Sequence, residues 1–437
     1  MRATDLGVTL DGSDQTENLR RAFANLPAGE LLEFGEGSIT IKGEVTIPAH
    51  ARGIYSRGTN FKIDANETRS GFLWRNAHGM IRGGRFIAEG EFQHHEAIIH
   101  CLDPNQVDIQ GIRFVGSGKD SRIQKGAAIL VRGRERAASE VNITDINVMS
   151  KIGTDKDTPV PIRIDGLLDG NARTVWRSAH SALASTIPAS KIRVSHTTVD
   201  GGYYGVMFSS VVDSKINHCT LKNNTRGISM QDGSCRNAVH FNRIIDNVSA
   251  GIHLAYGSCY NEVGCNVLES AVAHGEGLLQ AYVGSSHNRF FLNHTKMTGT
   301  GPKYHAYIGV ESSFNWIMDN KFEGNWQRAC IGVESDWDSK LPYPYHRAFN
   351  APNDDGYASR GMRDNMLFNN LITEDQEHKL LFSEVNGHGN SVIHGGAYPV
   401  TTIGNPNIQL YSEYKHNMLG ISREELLGFY RDSLIRL

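Results

Sequence analysis

Gly227-Ile-Ser-Met-Gln-Asp-Gly-Ser-Cys-Arg-Asn237, Gly251-Ile-His-Leu-Ala-Tyr-Gly-Ser-Cys-Tyr-Asn261, Leu278-Leu-Gln-Ala-Tyr-Val-Gly-Ser-Ser-His-Asn288 and His305-Ala-Tyr-Ile-Gly-Val-Glu-Ser-Ser-Phe-Asn315 share one pattern. Their closing asparagines lie 24, 27 and 27 residues apart. Each segment alternates apolar and polar residues, then turns through Gly, Ser and Asn. A period in the twenties built of short strands and tight turns is the mark of a solenoid. Weaker copies end at Asp213, Asn390 and Asn417, and a second short strand follows many of the asparagines, as in Asn242-Arg-Ile-Ile245. The reading is an all-β chain, a right-handed parallel β-helix of about ten to twelve coils over residues 35–418. Asn at the corners would tolerate left-handed backbone, and its amide would pair with the next Asn in the stack.

Composition supports this. The 437 residues exceed one ordinary globular core, but a solenoid grows because each coil packs only on its neighbours. Glycine is abundant at 46 and proline scarce at 12, as many tight turns require. The net charge of −3 carries no basic stripe for nucleic acid. No apolar run is long enough for a membrane helix, and the first residues lack the apolar core of a signal peptide. The six cysteines form no CxxC pair. Cys235 and Cys259, at equivalent repeat positions, read as stacked apolar residues. Together these predict synthesis in a reducing cytoplasm, with action outside the cell as a phage-borne or non-classically released protein.

Two stretches exceed the period, about 150–189 and 336–361, and long excursions from a regular scaffold usually carry function. The tail at 419–437 has Ser capping and apolar spacing for a terminal helix. At the other end, residues 1–34 contain Asp5-Leu-Gly-Val8, Asp11-Gly-Ser-Asp-Gln-Thr16 and Leu19-Arg-Arg-Ala-Phe23, followed by Gly29-Glu-Leu-Leu-Glu-Phe34. Thr16 would cap a helix whose apolar face (Leu19, Ala22, Phe23, Leu26) closes the first coil and covers its open β-edge. This segment resembles the N-terminal cap of the pectate-lyase-like superfamily, which includes phage tailspike depolymerases and bacterial β-helix enzymes. Gly35 stands where that family has proline. The resemblance implies carbohydrate-active enzymes, often homotrimers. It carries over no catalytic residue, because no active-site motif of the family matches.

Strand alternation assigns sides. Ile228/Met230, Ile252/Leu254 and Tyr204/Val206 should point inward. Gln231, His253, Gln280, Tyr282 and Tyr307 should form one outward strip, with Asp232 and Tyr256 at its edge. Aromatic rings among amides and a histidine suit a sugar chain; the plainer alternative is a solvated sheet face. Gly309-Val-Glu311-Ser recurs as Gly332-Val-Glu334-Ser, which would stack Glu311 on Glu334 and split their titrations. Asp336 follows, and Trp337, Tyr345, His346 and Arg347 could fold over the strip as sugar platforms and a carboxylate clamp. Two reactions compete. In a lyase acting on a uronate-containing polysaccharide, His253 or Tyr307 removes a proton by β-elimination. In a glycoside hydrolase or fructan-type transferase, Glu311, Glu334 and Asp336 supply acid and base. A glycan-binding adhesin is the non-enzymatic reading. No cofactor is expected; no His spacing suits a transition metal, and Asp354-Asp355 either binds Ca²⁺ or turns the loop.

Overall fold

The computed structural model describes the chain apart from residues 65, 67–69, 93–95, 118–119, 155–157, 167–186, 273–274, 283, 310–311, 335–363, 375, 377–378, 385–389, 394–399, 405–407 and 412–437. Most of both excursions and the expected terminal helix lie outside the described residues. What is described is a parallel β-helix. Thirty-eight strands join one continuous sheet system, and each pairs in parallel with the strand one coil away. One register row runs Thr46–Leu73–His100–Leu130–Arg163–Met207–Ser229–His253–Gln280–Tyr307–Gly332–Leu381–Thr401. A typical coil has three strands, such as Ala250–Leu254, Glu262–Gly264 and Val267–Ser270. These positions stack into a first, second and third sheet around one apolar core.

The register corrects the sequence reading upstream. Met207 pairs with Ser229 and Ser209 with Gln231, a step of 22 residues where 24 was expected. Within the expected excursion, Ile162–Asp165 is a full rung of the first sheet, pairing with Ile129–Arg132 and Val206–Ser209.

At the corners the division of labour differs from expectation. The left-handed residues are those just before the asparagines: Arg236, Tyr260, His287, Phe314 and Asp364 in one column, Phe241, Cys265, Leu292, Asp319 and Asn369 in another. The asparagines themselves are buried. Asn261 is typical. Its backbone N–H and its Nδ2 both donate to Asn288 Oδ1 at 3.0 Å, and Nδ2 also donates to Ser234 O at 2.9 Å. Two such columns run Asn237–Asn261–Asn288–Asn315–Asn365 and Asn242–Asn266–Asn293–Asn320–Asn370. Left-handed backbone in non-glycine residues costs roughly 1–2 kcal/mol each, and satisfying every corner amide offsets it.

The N-terminal helix Thr16–Ala24 buries Leu19, Ala22 and Phe23 against the first coil. Its N-cap is Gln15 rather than Thr16. The Thr16 hydroxyl instead donates to Asp14 at 2.7 Å and accepts from Lys42 N at 2.9 Å, tying helix to sheet. Cys235 and Cys259 are joined as a disulfide across neighbouring coils, with Cα atoms 4.7 Å apart, rather than stacking as free thiols.

Buried histidines make this fold acid-sensitive. His240 is wedged edge-on against Phe241 and Phe291, and among the described residues neither of its ring nitrogens has a partner. His305 is held between Thr295 Oγ1 at 2.6 Å and Gly324 O at 3.2 Å. Burial lowers both rings to about 4 from 6.5. The unfolded chain therefore binds more protons between these values, so stability present above pH 6.5 is lost as pH falls toward 4. A shift of that size corresponds to about 3 kcal/mol per ring. Urea midpoints measured from pH 7 to 4 should fall steeply and recover in part in His240→Phe; a flat profile would contradict this.

Candidate functional site

The outward rows of the first sheet hold most of the expected strip. Ser229, His253, Gln280 and Tyr307 are consecutive in register, and Gln231 begins the row two residues on. Tyr282 N donates to Leu254 O at 2.8 Å, carrying that second row past Ala281. The strip is not a solvated face: His253 is 3% and Tyr307 1% exposed. Gln280 turns its Nε2 back to Gly277 O at 2.9 Å. The half-buried members are Tyr203, Tyr204, Arg226, Asp232, Tyr256 and Tyr282.

Alternation breaks once per coil. His305 N and Ala306 N both donate to Cys330 O, and Ala128 N and Ile129 N both to Pro161 O. Adjacent residues such as Leu278 and Leu279 both face the core. Beyond this bulge the parity inverts, so Tyr204, Arg226 and Tyr304 point outward. Gly251 sits at the bulge because a Cβ there would meet Leu268 Cδ2 at 2.4 Å.

The inverted residues complete a polar group. Arg226 Nη1 donates to Tyr204 Oη at 3.1 Å, and its guanidinium lies 5.6 Å from the Tyr204 ring centre and 5.9 Å from that of Tyr203. Arg226 Nε has no hydrogen-bond partner among the described residues. Gln231 Nε2 donates to Ser229 Oγ at 2.8 Å, and Ser229 Oγ lies 3.2 Å from His253 Nδ1. Burial, reinforced by the Arg226 charge, holds the His253 ring well below 6.5, so it is neutral at ordinary pH. Burial raises the Tyr204 phenol, with Arg226 opposing.

Next to this group stands a carboxylate pair. Asp165 is fully buried and receives Arg132 Nε and Nη2 at 3.0 and 2.6 Å and Arg163 Nε at 2.9 Å. Burial favours its protonation, but Arg163 and Arg132 outweigh that and hold it ionised. Asp232 accepts from Ser209 Oγ at 2.5 Å. Its carboxyl is raised by burial, with the Asp165 charge adding to the effect.

Further along the rod the strip becomes aromatic. Ring centres are 6.3 Å apart for His253–Tyr282, 6.2 Å for Tyr282–Tyr307 and 5.1 Å for the stacked Tyr304–Tyr307 pair. Tyr304 Oη donates to Glu334, whose carboxylate also takes Arg328 Nε at 3.1 Å. Burial and this bond to Glu334 raise the Tyr304 phenol. Glu334 pairs in register with Gly309, not Glu311, because the step is 25 residues rather than 23. The expected stacking of Glu311 on Glu334 therefore does not follow. Glu311, Asp336, Trp337, Tyr345, His346 and Arg347 lie outside the described residues, as do Asp354 and Asp355.

A family model described as periplasmic copper-binding protein (NosD) matches residues 171–346. The Dettilon tailspike protein superposes with a TM-score of 0.54 at 12% identity, covering 94% of this chain and 68% of that one. The fold is a right-handed parallel β-helix. A mutant of the DFA-IIIase from Arthrobacter chlorophenolicus A6 superposes on this β-helix with a TM-score of 0.52 at 11% identity, covering 94% and 98%. A double mutant of the periplasmic alginate epimerase AlgG gives 0.48 at 11%, covering 86% and 83%. None of the curated proteins matches the sequence. Among the described residues of the β-helix, no three His, Cys, Asp or Glu side chains converge. No described helix is long and apolar enough to cross a membrane.

Sequence reasoning missed Arg132, Arg163, Asp165, Tyr204 and Arg226 in this site. Arg226 directly precedes the first quoted repeat, so the signal lay one residue outside the pattern.

Proposed function

We propose that the outer face of the first sheet binds an acidic polysaccharide and cleaves it by β-elimination. The observation that carries this is one contiguous group: a partly exposed guanidinium at Arg226, a phenol at Tyr204, and a neutral imidazole at His253. Arg226, whose guanidinium is half-buried, pairs with a uronate carboxylate and favours the enolate that forms when the C5 proton leaves. His253 takes that proton at Nε2, with Nδ1–H donating to Ser229 Oγ, which has room to accept from Gln231 as well. A bound uronate offsets the Arg226 charge and lifts the imidazole toward a useful basicity. The C4–oxygen bond breaks, a C4=C5 double bond forms, and the leaving oxygen takes the proton of Tyr204, which its raised value keeps protonated. Tyr282 and Tyr256 flank the chain as ring platforms.

Hydrolysis is the second reading, favoured by Asp232 and Asp165 titrating apart as an acid and a carboxylate do. It ranks second because Asp165 is buried and spent on two arginines. A panel of acidic polysaccharides separates them. The lyase gives new chain ends together with ultraviolet absorbance from the unsaturated uronate, and His253→Ala loses both. Chain ends without absorbance, abolished in Asp232→Asn, would establish the hydrolase. Full activity in His253→Ala would refute the elimination scheme.

A further inference from the structure

A second groove lies on the outer face of the second sheet, away from the site above. One wall is the corner column Tyr260–His287–Phe314, whose backbones have φ of 54°, 57° and 58°. The rings stack along the rod, with centres 4.6 and 4.7 Å apart and planes within 23° and 14°. The other wall is the strand row Glu262–Arg289–Trp316. The Arg289 guanidinium lies 5.1 Å from the Trp316 ring centre and 3.8 Å from the Glu262 carboxylate. The cavity between the walls is about 360 Å³, the size of a small-ligand cleft.

These rings are displayed rather than stored: Tyr260 is 56% and Phe314 40% exposed. Left-handed corners suit Asn or Gly better than large rings, so backbone economy does not account for them. Because the rings lie on one another, they turn their edges to the groove. Aromatic edges are electropositive, so the wall attracts oxygen lone pairs while offering apolar C–H surface. Arg289 adds N–H donors on the facing wall, and Glu262 an acceptor at one end. Hydroxyl and carboxylate oxygens on a ring with apolar C–H faces complement that mixture. The columns repeat with the coil spacing of ~4.8 Å, so an extended polymer meets a ring on one wall and a polar or aromatic side chain on the other at each step.

We propose that this groove is a second, non-catalytic glycan-binding site that holds another stretch of the same polysaccharide. The proposal rests on the polysaccharide reading above but not on the chemistry assigned there. Two sites on one rigid rod raise the residence of a polymer without strengthening either site.

Electrophoresis through gels containing an acidic polysaccharide tests it, using the full chain and the double variant Tyr260→Ala/Phe314→Ala, with thermal melts confirming that the variant folds. The wild type should be retarded, and the variant's apparent affinity should fall roughly tenfold. Its rate on short oligosaccharides should stay unchanged. Arg226→Ala should lose cleavage yet keep most of the retardation. Retardation equal to wild type in the double variant overturns the proposal. So does sedimentation showing that the wild type self-associates and the variant does not, with retardation unaltered, since the groove then receives a second copy of the chain. Retardation that depends on Tyr260 and Phe314 without any cleavage by the wild type would sink the catalytic reading alone. A wild type that no polysaccharide retards refutes this site.

Discussion

Arg226→Ala is expected to lower kcat/KM on an acidic polysaccharide by roughly 100- to 1,000-fold, the usual effect of removing one charge-stabilising donor from a reacting centre. Three observations set that size. The guanidinium sits in a half-buried pocket between Tyr203 and Tyr204, where a charge interacts strongly. Its Nη1 fixes the Tyr204 hydroxyl. Its charge also helps to hold His253 neutral, second to burial. The same substitution should therefore change the pH profile. With the cation gone, the His253 ring moves up toward its ordinary value, and the acid limb of kcat/KM shifts to higher pH. Arg226→Lys should recover little, because an ammonium cannot span a carboxylate and Tyr204 together. A variant whose rate falls less than about threefold, with an unmoved acid limb, would remove Arg226 from the reaction; such a change is under 1 kcal/mol.

Asn288→Ala should cost about 3–5 kcal/mol of stability, a large loss for one surface-distant side chain. The Asn288 amide donates to Ser258 O at 2.9 Å and Asn315 Oδ1 at 3.1 Å. Its Oδ1 accepts Asn261 N and Asn261 Nδ2, both at 3.0 Å. Alanine leaves the Asn261 backbone N–H buried without a partner and takes one of two bonds from Asn261 Nδ2, which keeps Ser234 O, and from Ser258 O, which keeps Ser286 N. The urea midpoint should drop accordingly. Because coils contact only their neighbours, amide exchange should quicken first around residues 258–318. A shift below 1 kcal/mol would show that the left-handed corners hold themselves.

The repeat made the solenoid legible because its Asn, Gly and Ser positions are dictated by corners that recur whatever the rest of the coil does. The same periodicity located Gln231, His253, Gln280, Tyr282 and Tyr307 on outward rows. It failed where the backbone departs from strict alternation. The bulge before Ile228, Ile252 and Leu279 inverts parity, so Tyr204 lies on the outer side rather than the inner one, and Arg226, outside the quoted pattern, joins it there. Arg163 and Asp165 escaped because Ile162–Asp165 lies between irregular stretches that hide its phase. Glu334 was placed against Glu311 because Gly-Val-Glu-Ser looked like a repeat, whereas Ala306 pairs with Ile331 and sets the step. Burial was the other invisible quantity, since alternation says which way a side chain points but not whether water reaches it.

The asparagine columns have a direction. In each, the side-chain bond between asparagines runs one way: Nδ2 donates to the Oδ1 of the next asparagine toward the C-terminus, while its other hydrogen goes back to a backbone carbonyl one coil earlier. Their amide dipoles therefore add head to tail, as peptide dipoles do in an α-helix. Two such columns run the same way between residues 237 and 370, so that stretch of the core carries aligned amide dipoles whatever the net charge. A coil inserted or deleted as a unit keeps that polarity, whereas a reversed coil would set like poles against each other.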